Sequence, residues 1–75
     1  MRFKIVIVSS KNRREYNTEF LTLPAQEGEL TLFPSHAPII GKLKEGEIVT
    51  SLEKIKIKGG FFEFLDNFAK VVIEQ

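Results

Sequence analysis

The chain has 75 residues, which limits it to one domain near the size at which a single apolar core still suffices. An apolar share of 43% argues for a folded domain, and the absence of cysteine excludes disulfides and thiolate metal sites. The net charge of +1 is too small to draw nucleic acid or a membrane by bulk electrostatics, and no apolar run is long enough to cross a bilayer.

Along the chain, apolar residues recur mostly at every second position, the period of half-buried strands. Phe3, Ile5 and Ile7 make one face of a first strand, and Lys4, Val6 and Val8 the other. The stretch from Met1 to Val8 has no cleavage site behind it and does not resemble a signal peptide. Ser9–Glu15, basic through Lys11, Arg13 and Arg14, reads as a connection. A second strand is expected over Phe20–Leu23, stopped by Pro24, and a third over Glu29–Phe33, between Gly28 and Pro34. Pro34 and Pro38 frame a turn around His36, after which Ile39–Leu43 and Glu47–Ser51 read as strands separated at Gly46.

Ile55 and Ile57 alternate with Lys54, Lys56 and Lys58, giving one apolar and one basic face. Continued alternation would bury Glu63, whereas Phe62 and Phe64 are the better inner residues. The parity therefore changes at Gly59-Gly60, which predicts a bulge or a sharp bend. Asp66-Asn67 predicts a tight hairpin turn, followed by a last strand with Phe68, Val71 and Ile73. The expected fold is all-β, a flattened β-sandwich of about ten short strands. Phe3, Ile5, Leu23, Leu32, Ile57, Phe62, Phe64 and Val72 are the expected core.

Three groups invite a functional reading. Ser35-His36 has the residue types of a catalytic dyad, but neighbours on an extended chain point apart, and a proline-framed corner is the simpler account. Glu27 and Glu29 flank Gly28 without a third metal ligand, so a solvated acidic tip suited to protein docking is favoured. Lys54, Lys56 and Lys58 with Phe61, Phe62 and Phe64 are the residue types that bind single-stranded nucleic acid, by phosphate contact and base stacking. Against that reading, Glu63 sits among the aromatics, and phenylalanine in a small β-domain usually belongs to the core.

Four segments taken in order carry a resemblance. They are Glu27-Gly28-Glu29-Leu30, Phe33-Pro34-Ser35-His36-Ala37-Pro38, Leu43-Lys44-Glu45-Gly46 and Gly59-Gly60-Phe61-Phe62-Glu63-Phe64. Their order and spacing resemble the amino-terminal domain of the epsilon subunit of F-type ATP synthase, called delta in mitochondria, over residues 1–75. Thr31 and Ser35 stand where that family has glycine, which argues against left-handed backbone at both positions. Glu45 stands in place of proline and Lys58 in place of serine.

The resemblance implies a non-catalytic rotor subunit without a cofactor or metal. It would sit at the foot of the central stalk, against the gamma subunit and the membrane c-ring, and couple proton-driven rotation to ATP synthesis. Glu27, Gly28 and Glu29 become expected ring contacts, with His36 at the junction of gamma and ring. Pro34, Pro38, Gly46, Gly59 and Gly60 become structural turns. The chain stops at Gln75, where the family continues into an inhibitory helical hairpin, so a short form is expected. The implied location is the cytoplasmic side of a bacterial cell membrane, peripheral and held only through the complex.

Overall fold

Alternating apolar side chains and frequent turn residues give the chain nine strands and no helix. The computed structural model describes residues 1–75. In order the strands are β1 (Phe3–Val8), β2 (Arg13–Thr18), β3 (Leu21–Ala25), β4 (Gly28–Leu32), β5 (Ile39–Leu43), β6 (Gly46–Thr50), β7 (Lys54–Ile57), β8 (Gly59–Leu65) and β9 (Phe68–Glu74). They join in the order β2-β1-β9-β8-β5-β3-β6-β7, with β4 on the other edge of β3. The contact between β5 and β3 is a single bridge, Ala25 opposite Leu43. At that bridge the sheet folds over. Five strands (β2, β1, β9, β8, β5) then face four (β4, β3, β6, β7) across a core of 15 buried residues. The shortest dimension, 17 Å, fits two sheets stacked about 10 Å apart with their outer side chains.

The two chain ends close one another. β1 runs parallel to β9, with Ile7 opposite Val71, while every other strand pair is antiparallel. Phe64 lies at the centre of the core, 1% exposed, with its ring edge-on to Phe3 at 5.2 Å.

The expected all-β sandwich of about ten short strands forms, with nine. Several details of it need correction. Arg13–Glu15 belongs to β2 and not to a connection: this edge strand pairs with β1 from Val8–Arg13 to Phe3–Thr18. Its sequence hides it because only Tyr16 and Thr18 turn inward. Pro24 does not stop β3, which continues to Ala25. Lys44 N–H donates to Pro24 O at 2.9 Å, and the reciprocal bond, which proline cannot donate, is the one that would have faced β5. The third strand begins at Gly28 and ends at Leu32. Val72 is 38% exposed, while Val71 is buried in its place. The parity change at Gly59-Gly60 is a bend at Lys58 between β7 and β8, since the β8–β9 ladder runs unbroken from Gly59–Glu74 to Leu65–Phe68.

Polar side chains fasten the far side of the sandwich. Tyr16 Oη donates to Glu53 Oε2 at 2.6 Å and lies 3.1 Å from Thr50 Oγ1. The Arg14 guanidinium pairs with the other oxygen of Glu53. Thr18 Oγ1 sits 2.9 Å from Ser51 Oγ and accepts the Ser51 backbone N–H. A polar edge strand is thus held to the β6–β7 turn by hydrogen bonds where apolar contact is scarce.

Burial, and next the bond to Glu53, push the Tyr16 phenol up to about 12. Folding therefore favours the neutral phenol. Its contribution is intact below the unfolded value near 10 and is lost as pH rises from there through 12. Tyr16 is the only tyrosine, so phenolate absorbance reads it alone. The native titration should lie well above that of the denatured chain, and coincident curves would contradict the fastening.

Candidate functional site

Two turns and a groove between two strands make up the candidate site. The first turn is the tip of the β3–β4 hairpin, where Ala25 opposite Gly28 closes a two-residue turn of Gln26 and Glu27. Gly28 takes φ +137°, a conformation that side chains other than glycine rarely adopt. Glu27 and Glu29 are exposed, and neither pairs with a cation in this chain. Gln26 N–H donates to Lys42 O at 3.0 Å, which ties the tip to β5.

The second turn follows β4. His36 N–H donates to Phe33 O at 3.2 Å, closing a turn in which Ser35 takes φ +71°. Ser35 therefore does adopt the left-handed conformation, contrary to expectation, whereas Thr31 lies in extended β4 opposite Thr22. Asn67 explains the exception at Ser35, since its Oδ1 accepts the Ser35 N–H at 2.6 Å. The same Asn67 stands with Asp66 in the left-handed β8–β9 turn, at φ +58° and +51°, as the hairpin signal predicted.

His36 is exposed, with its ring edge-on to Phe64 at 6.0 Å and its Nδ1 2.6 Å from Ala37 O. Each polar contact of this turn engages one of its own backbone groups, and Ser35 contributes its N–H, not its hydroxyl. Such a turn is built to hold a shape. No three histidine or acidic side chains gather closely enough to hold a metal ion.

Between the two turns, an open groove of about 490 Å³ runs between Gly28–Leu30 on β4 and Ile39–Lys42 on β5. Leu30 and Ile39 pack on the core from its sides, and Phe62 forms part of its wall.

The reading by residue type missed a further surface. On the outer face of the five-strand half, Phe61 pairs with Val72 on one side and Lys42 on the other, and Val8 lies beyond Val72. Ile40, Phe61, Leu65 and Val72 are all exposed there, while Lys4 and Lys70 both approach the ring of Phe68. Parity was the available signal, because placing Phe62 and Phe64 inside requires Phe61 and Leu65 to face out. The same parity removes the nucleic-acid arrangement. Lys54, Lys56 and Lys58 are exposed, but Phe62 and Phe64 are buried at 2% and 1% and offer no ring to a base.

Fold and site together define a small two-layered β-sandwich that presents stiffly held turns and an apolar outer face. Residues 1–75 match the family described as ATP synthase, Delta/Epsilon chain, beta-sandwich domain, and the chain belongs to that family. It is 34% identical over 77 residues to the ATP synthase epsilon chain of Desulfitobacterium hafniense (strain DSM 10664 / DCB-2), covering 96% of this chain and 58% of the relative. With the ATP synthase epsilon chain of Pelotomaculum thermopropionicum the identity is 37% over 75 residues, covering 95% and 55%. The chain thus spans a little over half the length of these relatives.

Two solved structures share the fold. One is the central stalk and c-ring of Tetrahymena thermophila mitochondrial ATP synthase, with TM-score 0.84, 11% identity, and coverage of 100% of this chain and 65% of that chain. The other is the Euglena gracilis mitochondrial ATP synthase, OSCP/F1/c-ring, with TM-score 0.86, 16% identity, and coverage of 99% and 51%.

Proposed function

We propose that the chain is a non-catalytic central-stalk subunit of an F-type ATP synthase. It docks on the gamma subunit and the c-ring, at the cytoplasmic side of the membrane, and helps carry rotation between ring and catalytic head. The observation that carries this reading is the family match across the whole chain. The physics agrees with it, since a torque-bearing coupling needs a stiff body and the surface turns here are braced from several strands.

In this reading the acidic tip of Glu27, Gly28 and Glu29 meets the ring, and His36 lies at the junction of ring and gamma. The outer face around Phe61 and Val72 supplies the apolar seat for gamma, in keeping with the aromatic, charge-poor centres of protein interfaces.

Glu29→Lys tests the tip. Glu29 is exposed and unpaired, so folding should change by no more than about 0.5 kcal/mol. Attachment to purified c-ring should nevertheless weaken, because the reversal sets like charges together at the contact. Unchanged melting with weakened attachment is the expected pair of results. Attachment equal to wild type would remove Glu29 from the interface.

A further inference from the structure

Where β3 exchanges partners, two strand edges are left facing the same groove. The β3–β4 hairpin closes on Ala25 and Gly28, so the residues that exchange backbone bonds within it are Ala25 with Gly28, Leu23 with Leu30 and Leu21 with Leu32. Backbone groups alternate in direction along a strand. The N–H and C=O of Glu29 and Thr31 therefore point outward from β4, along an edge that has no neighbouring strand.

On β5 the hydrogen bonds to the hairpin fix the same alternation. Lys42 O accepts from Gln26 and Lys44 N–H donates to Pro24 O, so even-numbered residues of β5 point away from β8. β3 touches β5 only at Ala25, leaving the backbone of Ile40 without a strand beside it. A free edge of this kind is a template for another chain, and natural sheets usually cover it or blunt it with charge. Here two such edges flank a groove walled by Leu30, Ile39 and Phe62.

We propose that this groove takes an extended segment of a partner polypeptide as an added strand. Its backbone bonds to the β4 edge at Glu29 and Thr31. Apolar side chains at alternate residues face the half-buried Leu30 and Ile39. A basic residue of the segment lies beside Glu29, whose carboxylate has no cation in this chain. The inference rests on the stalk reading for the source of the segment, the stalk-and-ring assembly that carries the domain. It adds a main-chain mode of attachment to the side-chain contacts at the tip.

Thr31→Pro separates the two modes. The Thr31 N–H points away from β3, so proline removes the outward donor while sparing the hairpin ladder, as prolines on edge strands do. Thr31→Val is its control, since it also loses the 2.9 Å hydroxyl contact to Thr22 but keeps the N–H. Each variant and the wild type are titrated against a reconstituted central stalk with its ring, and residue-resolved amide exchange is measured free and assembled.

The proposal expects Thr31→Val to assemble like wild type and Thr31→Pro to assemble at least about tenfold more weakly. It also expects wild-type assembly to slow exchange at the amides of Glu29 and Thr31. Should Thr31→Pro fail to fold, the wild-type amides decide. Full assembly with these amides still exchanging freely overturns the added strand and leaves the stalk reading in place. Protection that grows with concentration of the free chain overturns it in favour of a second copy. A wild type that does not assemble overturns both.

Discussion

Gly60→Val should cost about 3–5 kcal/mol, and Gly60→Ala most of the same amount. Gly60 takes φ +145°, and a Cβ built there would stand 2.0 Å from Val72 O and 3.0 Å from Ile73 Cα. Both obstacles are backbone atoms of β9, the strand paired to β8, so no side-chain rotation relieves them. The clash begins at the first carbon, which is why alanine fares little better than valine.

Either β8 shifts away from β9 or its register slips. A slip by one residue would turn Phe62 and Phe64 outward and Glu63 inward. A chain of this length commands only about 4–11 kcal/mol in total, so the melting temperature should fall by tens of degrees. Alanine and valine variants that melt with the wild type would contradict the close approach of β8 and β9.

Phe64→Ala should cost about 3–5 kcal/mol, as truncations of buried phenylalanine do. Phe64 holds the centre of the core against Phe3 and also reaches the edge of the His36 ring, so the loss spreads from packing to the site. Phe64→Leu keeps most of the volume, should cost less than about 1.5 kcal/mol, and isolates the second effect. In that variant the proton resonances of the His36 imidazole should move, because the neighbouring aromatic ring is gone while the fold remains. If they stay in place, His36 is not held against the core in solution.

How far the fold can be read from the residues depends on the geometry each element needs. β7 was legible because a strand with one wet face alternates regardless of its neighbours. β1 and β5 were legible because short apolar runs bounded by polar or turn residues read as strands. β2 was not, since Tyr16 and Thr18 hold it through hydrogen bonds to residues more than thirty positions away. In β9 the run Val71-Val72-Ile73 leaves its own parity open. Pairing with β1 settles it, placing Val71 beside Ile7 on the inner face.

The turns of the site announced themselves through proline and glycine, whose constraints are local. What braces the His36 turn did not, because Asn67 arrives from the β8–β9 hairpin. The groove was also illegible, since it exists only because β4 and β5 lie on opposite sides of a strand that changes partners at Ala25.

If this domain is a docking body for the rotor stalk, thermal melting of the chain with added gamma subunit must register it. A partner that binds only the native state must raise the melting temperature in step with its concentration. The stalk role predicts such a rise with gamma and none with single-stranded oligonucleotide at physiological salt. A melting temperature indifferent to gamma at tens of micromolar, yet raised by the oligonucleotide and lowered again by salt, would contradict it.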